Sequence, residues 1–221
     1  MAAPIDPNNL AYIIMLYEGV GNLFPWNAFI TASSYYAQRF CGTAFETTFE
    51  NYFSITYTLS QTIGLALSIV YQERFTLQQR IVIPLLLYSL VFAVTTCLVA
   101  VENIDPSLLF GLTLISACMC GLFGAALSGG LFSLAAMLPP AYTGAIMSGQ
   151  GLAGLTVAVS ALLTSLATPA VDDCNDDSQD DGEECTQSIS YSALAYFMIA
   201  TFILLTCSMA YFYLKKMSFT K

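Results

Sequence analysis

Residues 128–150 of the chain read SGGLFSLAAMLPPAYTGAIMSGQ, an apolar stretch that contains two consecutive prolines. The stretch lies within a run from Ser107 to Val171 that has no charged residue. A helix crosses a hydrocarbon core about 30 Å thick with roughly 20 apolar residues. The run is too long for one such helix and long enough for two. Pro139 and Pro140 are typical of a turn between them.

The rest of the chain divides in the same way, and the sequence predicts an all-α polytopic membrane protein with a six-helix bundle at 10–214. The predicted spans are 10–35, 51–71, 81–101, 108–137, 143–166 and 190–214, with an amino-terminal segment at 1–9, an acidic loop at 170–189 and a basic tail at 215–221. The first apolar stretch is too long for a signal-peptide core and has no cationic flank. We therefore expect it to remain in the mature protein.

The composition excludes several classes of function. Of the 221 residues, 57% are hydrophobic and 10% are charged, whereas soluble domains have about 25% charged residues. Six scattered Lys and Arg residues cannot form the basic surface that nucleic acid requires. The chain has no His, the usual catalytic base and the commonest metal ligand. We therefore expect no enzyme, no cofactor and no metal site.

The positions of Lys and Arg predict the orientation, because these residues concentrate in cytoplasmic loops. In a six-span arrangement five of the six cations fall on one side, and Arg39 is alone on the other. The five are Arg74, Arg80, Lys215, Lys216 and Lys221. We expect both termini in the cytoplasm and the acidic loop outside.

The acidic loop holds eight of the fifteen acids, between Asp172 and Glu184. Its acids lack the spacing of a calcium-binding loop and are typical of a solvated segment. Cys174 and Cys185 lie in the same loop, where an oxidising compartment favours a disulfide. Cys41 also falls outside and competes for either partner.

The first predicted span carries polar side chains, each of which marks a helix contact or a pathway. Glu18 and Asn22 share a helix face, and Pro25 opens the backbone nearby. Glu18 is either a neutral acid that bonds to a neighbouring helix or a proton site. Trp26 is either a packed or interfacial aromatic side chain or part of a binding site.

The second and fifth predicted spans contain further candidates. The second is rich in hydroxyl and amide groups, so we expect Gln61 to point inward. Small residues in the fifth recur at four-residue spacing, which predicts close helix packing. The candidate packing residues of this glycine-rich stretch are Gly144, Ser148, Gly149, Gly151 and Gly154. Gln150, among them, either faces a cavity and binds a polar ligand or bonds to another helix.

Two segments resemble one protein family. Residues 19–31, GVGNLFPWNAFIT, resemble the first transmembrane helix of equilibrative nucleoside transporters. Gly130-Leu131-Phe132 through Leu138-Pro139, then Tyr142-Thr143 and residues 147–154, MSGQGLAG, resemble the fourth-to-fifth helix region of that family. The two motifs occur in the right order and at the right distance.

The resemblance implies a fold and a set of site residues. Family members have about eleven helices in a major-facilitator-like arrangement, with six in an amino-terminal bundle, and the substrate lies between the bundles. By this resemblance Trp26 contacts the nucleobase and Gln150 bonds to the nucleoside. Thr58 and Gln61 lie beside the base, and Asn27 holds helices together.

The resulting hypothesis is a nucleoside transporter of the plasma membrane, represented by its amino-terminal half. Its partners are a nucleoside or nucleobase, the lipid bilayer and a carboxy-terminal five-helix half. The alternative is a non-transporting assembly or regulatory protein that keeps the bundle. A channel or intramembrane enzyme has less support, because the spans contain no paired acids and no Ser-Lys pair.

Overall fold

A computed structural model describes residues 9–101, 104–167 and 181–216, without the side chains of 164–167 and 181–190. The described residues form seven helices and no strand. The helices are α1 (Leu10–Thr31), α2 (Ser33–Arg39), α3 (Phe49–Val70), α4 (Leu77–Ala100), α5 (Pro106–Ala136), α6 (Pro140–Ala167) and α7 (Asp181–Lys216).

Five helices, α3 to α7, are long and apolar enough to cross a membrane. Helix α1 has 22 residues, so it is about 33 Å long, which also matches a bilayer core. Helix α1 has a lower mean hydropathy than a typical spanning helix, because it carries the polar side chains of Glu18, Asn22 and Asn27. The prediction of an all-α polytopic membrane protein is confirmed.

Most helix boundaries differ from the sequence prediction by a few residues, and two of the differences change the description of a segment. The first helix ends at Thr31, not at residue 35, and the chain continues as the short helix α2. The last helix begins at Asp181, where the sequence predicted Ser190, so the carboxy-terminal part of the predicted acidic loop is helical.

Local signals explain where three other helices begin. Thr76 and Gln79 form a capping box at the start of α4, which satisfies backbone N–H groups that have no partner within the helix. The carboxylate of Asp105 accepts a hydrogen bond from the Leu108 N–H at the start of α5. Pro140 is the first residue of α6, where a missing N–H costs little.

Helix α1 lies between α6 and α7, while α3 packs on α5 and α4 packs on both α5 and α7. The hydroxyl groups of Tyr17 on α1 and Thr206 on α7 share a hydrogen bond of 2.6 Å. Helix α1 therefore connects α6 to α7 within the bundle.

Helix α2 closes one end of the bundle with aromatic side chains. The Tyr36 ring lies 5.7 Å from Phe29 of α1 and 5.4 Å from Phe53 of α3. The Phe40 ring, just after α2, lies 5.7 Å from Phe110 of α5. Such edge-to-face and offset pairs stabilise the contact beyond the area that they bury. This end of α1 is therefore anchored to α3 and α5.

Two glycines allow α1 and α6 to approach closely. A Cβ atom at Gly149 would overlap the carbonyl oxygen of Leu16, and one at Gly19 would overlap the carbonyl oxygen of Ile146. Each glycine therefore lies against the backbone of the other helix. This is the small-residue packing that favours helix association in lipid.

The predicted packing residues divide between two faces of α6. Gly149 is buried against α1, and a Cβ at Gly154 would lie 3.8 Å from the Asn27 amide nitrogen. Gly144, Ser148 and Gly151 lie on an exposed face. Within the described residues nothing lies within 4 Å of a Cβ at Gly144 or Gly151. Helix packing on that face stays a prediction.

Substitution of Gly149 by valine tests the close contact. The side chain would overlap the α1 backbone, and overpacking of this kind costs about 1–3 kcal/mol or more. We expect the Gly149→Val chain to unfold at a clearly lower denaturant concentration in mixed micelles. Gly144→Val is the matched control, since it places the same residue on the exposed face of the same helix. Equal unfolding midpoints for the two variants would contradict this account of α1–α6 packing.

Candidate functional site

Trp26 and Tyr57 form a parallel ring stack between α1 and α3. Their ring centroids are 3.6 Å apart and their planes differ by 8°. Phe29, one helical turn beyond Trp26, has its ring centroid 5.9 Å from the indole, with planes that differ by 13°. The Trp26 side chain is half-buried, whereas Tyr57 is buried. Flat aromatic surfaces therefore meet at this point of the bundle.

A cavity of about 120 Å³ lies beside the Trp26 indole, at the end of the bundle that α2 closes. Aromatic side chains dominate its wall, and Ser33, Glu50 and Ser54 supply the polar groups. The aromatic residues are Trp26, Phe29, Tyr36, Phe49 and Phe53. A flat heteroaromatic ring stacks well on such a wall, and the few polar groups can orient it.

Glycines of α5 explain how Tyr57 reaches this position. A Cβ atom at Gly121 would lie 2.6 Å from the Tyr57 carbonyl oxygen, so only glycine allows α3 to approach this closely. The Tyr57 hydroxyl group lies beside Gly124 and close to Tyr88 of α4. Sequence reasoning missed Tyr57, because it emphasised the hydroxyl and amide residues around it. The available signal for Tyr57 was an aromatic residue between the hydroxyl residues Thr56 and Thr58.

The other predicted binding residues lie on helices around α1. Thr58 is exposed on α3, and Gln61 is half-buried one helical turn after Tyr57. Gln150 is half-buried on α6, next to the Gly149 contact. No hydrogen bond in the described part of the chain engages the Gln61 or Gln150 carboxamides. The structure therefore brings Trp26 to Tyr57, and no hydrogen bond among the described residues joins Gln61 or Gln150 to this pair.

Asn22 and Asn27 connect α1 to different neighbours. The Asn22 amide donates to Ser128 Oγ of α5 at 2.8 Å, and Ser128 Oγ is 3.1 Å from Asn22 Oδ1. The Asn27 amide nitrogen is buried beside Gly154 and has no partner within the described residues. The predicted role of Asn27 in holding helices together stays a prediction.

Glu18 is fully buried in α1, at 0% exposure. Neither carboxyl oxygen has a hydrogen-bond partner within the described residues. The titratable side chains near it are Tyr17 on α1 and Cys207 and Tyr211 on α7. An unpaired charge is costly inside a membrane bundle, so we expect Glu18 to be the neutral acid. Glu18 stays a candidate proton site.

Glu18→Gln tests this role, because it removes the exchangeable acid and keeps its size. If the complete protein is a transporter and Glu18 binds a proton in its cycle, we expect uptake to rise toward acidic pH, where the acid is protonated more often. We expect the glutamine variant to have a flatter pH profile than the wild type. Identical profiles would leave Glu18 with a structural role only.

Cys41 is disulfide-bonded, and Cys97, Cys118, Cys120 and Cys207 are free. The predicted disulfide of Cys174 and Cys185 lies outside the described residues. Most of the predicted acidic loop, residues 170–180, also lies outside the described residues. In the part of the chain that the structure covers, no three His, Cys, Asp or Glu side chains cluster as metal ligands.

These features define the class of protein. Membrane-length helices surround a central helix that carries polar side chains, and an aromatic cavity lies beside that helix. The chain is an integral, multi-pass helical membrane protein with a candidate site for a flat ligand.

Comparison with known proteins identifies the family. The family model described as "Nucleoside transporter" matches residues 114–221. Equilibrative nucleoside transporter 2 of Rattus norvegicus is 38% identical over 182 residues, which are 75% of this chain and 39% of that protein. Equilibrative nucleoside transporter 1 of Mus musculus is 29% identical over 244 residues, with coverage of 98% and 49%. Equilibrative nucleotide transporter 1 of Arabidopsis thaliana is 29% identical over 213 residues, with coverage of 95% and 43%.

The chain belongs to the equilibrative nucleoside transporter family. The family that the sequence resembles is thereby confirmed. The chain spans about half the length of the curated relatives it matches.

Proposed function

We propose that this chain forms the amino-terminal half of a nucleoside transporter that works by alternating access. The observation that carries the proposal is the half-buried Trp26 indole beside an aromatic cavity on the central helix. A nucleobase is a flat ring that stacks on such a surface, and its polar edge can bond to nearby carboxamides. The names of the relatives support a nucleoside as the substrate.

The work of this half is to bind and orient the base. Trp26 provides the stacking surface, while Gln61 and Gln150 provide groups that both donate and accept hydrogen bonds. A second half opposite this face would complete the substrate site, and rocking of the two halves would expose it to each side in turn. The function is transport and not catalysis.

Uptake measurements with the complete protein that carries this half test the proposal. The wild type should take up labelled adenosine or uridine in cells that lack their own nucleoside uptake. Base stacking on an aromatic side chain contributes about 1–3 kcal/mol. We therefore expect Trp26→Ala to raise KM by about 5- to 150-fold.

Trp26→Phe is the control, since it keeps an aromatic face, and its KM should stay much closer to that of the wild type. A wild-type protein that reaches the membrane and takes up no nucleoside would contradict transport. That result would favour the alternative of a non-transporting assembly or regulatory protein.

Gln150 is the second test of the substrate site. Its replacement by leucine keeps the side-chain size and removes a carboxamide that no hydrogen bond in the described chain engages. Loss of one hydrogen bond in a dry site costs about 1–3 kcal/mol, so nucleoside affinity should fall about 5- to 150-fold. Ser148→Ala, on the exposed face of the same helix, should leave affinity unchanged. Normal affinity in Gln150→Leu would assign the residue to helix packing.

We also propose that both termini are cytoplasmic and that the protein resides in the plasma membrane. Lys215 Nζ at the end of α7 donates to Gln78 Oε1 at the start of α4. Arg80, near the same end of α4, donates to Ser133 Oγ at 3.2 Å. Arg39 donates to the carbonyl oxygen of Ile104, at the opposite end of α4. The cations thus separate between two ends, as the positive-inside rule requires.

An epitope tag placed after Lys221 tests this orientation. In intact cells an impermeant antibody should fail to reach the tag, and it should reach it after permeabilisation. A tag in the loop between α2 and α3 should be labelled in intact cells. Labelling of the carboxy-terminal tag without permeabilisation would overturn the proposed orientation.

A further inference from the structure

The cavity beside Trp26 is too small for the substrate that the proposed function requires. Its volume is about 120 Å³, whereas sites for small ligands have volumes of about 300–1,000 Å³. A nucleoside therefore needs a side chain to move before the site can hold it. Tyr57 has the aromatic ring nearest to the indole, so it is the first candidate for this movement.

Tyr57 covers one face of the Trp26 indole. At a centroid distance of 3.6 Å and an angle of 8°, the two rings are in van der Waals contact over their faces. No third ring can enter between them. Tyr57 does not line the cavity, so the face of the indole that it covers is not part of the cavity wall.

We propose that Tyr57 is a gate and a determinant of substrate affinity. Its ring occupies the Trp26 face on which a nucleobase stacks, and nucleoside binding displaces it. The inference rests on the proposed function and adds a residue to it. Tyr57 in this state takes the place of the base, which keeps the indole covered when no substrate is bound.

A small space lies beside the hydroxyl group of Tyr57. A Cβ atom added at Gly124 would lie 3.8 Å from the Tyr57 hydroxyl oxygen and 3.8 Å from the ring of Tyr88. These are ordinary contact distances, so a methyl-sized space next to the phenol is unfilled. The backbone of Tyr57, in contrast, is held tightly against Gly121. Motion is therefore expected of the side chain and not of α3.

The single tryptophan of the chain provides the test. Because Trp26 is the only one among the 221 residues, the tryptophan fluorescence of the purified chain in lipid nanodiscs reports on this stack alone. The probes are adenosine and uridine, whose bases quench the indole when they stack on it, and acrylamide, a neutral quencher that reports exposure. The variants are Tyr57→Leu, which removes the ring, and Tyr57→Phe, which keeps it.

If Tyr57 is a gate, acrylamide quenches Trp26 more strongly in Tyr57→Leu than in the wild type. Nucleoside titration should then give a Kd about 2- to 12-fold lower in Tyr57→Leu, the range expected for one aromatic pair that no longer has to be broken. Tyr57→Phe should match the wild type in both measurements. Circular dichroism and gel filtration check the fold of each variant, and Tyr57→Met, whose flexible side chain fills irregular space, replaces Tyr57→Leu if that variant does not fold.

The measurements distinguish failure of the gate from failure of the proposed function. An equal or higher Kd in Tyr57→Leu, or equal acrylamide quenching, would overturn the gate and leave the proposed function standing. The absence of nucleoside quenching in every variant, with acrylamide quenching still increased in Tyr57→Leu, would contradict nucleoside binding by this half and remove the gate with it.

Discussion

The backbone contact between α1 and α6, which Gly19 and Gly149 allow, is the constraint on which the rest of the bundle depends. Lipid provides no hydrophobic force that drives helices together, so helices associate where small residues allow close packing. At this crossing each glycine lies against a carbonyl oxygen of the other helix. That contact fixes α1 beside α6, and with it the position of every polar group that α1 carries.

Polar groups in α1 are tolerated because most of its surface is covered by protein. Asn22 exchanges hydrogen bonds with Ser128, and Tyr17 bonds to Thr206. Glu18 and the Asn27 amide have no partner within the described residues. Unpartnered buried polar groups are uncommon in native proteins and call for an explanation. Two of these groups thus lie on the same helix as the Trp26 indole.

Much of the fold could be predicted from the sequence, because the length of each apolar run and its flanking turn residues carry the information. The turn at Pro139 and Pro140 is an example. The Trp26–Tyr57 stack could not be predicted, since it depends on how far α3 approaches α5, and that distance is determined by Gly121. Likewise, four-residue spacing marks small residues on α6 without revealing which face has a partner. Gly149 lies against the backbone of α1, whereas Gly144 lies on the exposed face.

The exposed polar groups of the helices differ in whether they have hydrogen-bond partners, and therefore in what can cover them. Thr62 and Thr156 donate to the carbonyl oxygens of Thr58 and Leu152 at 2.9 and 2.8 Å, so their hydroxyl groups are satisfied within their own helices, and lipid could cover them. The carboxamides of Gln61 and Gln150 have no such bond in the described chain. A half-exposed amide within a span requires water or protein. The two glutamines therefore mark positions on the bundle surface that water or protein, rather than lipid, must cover.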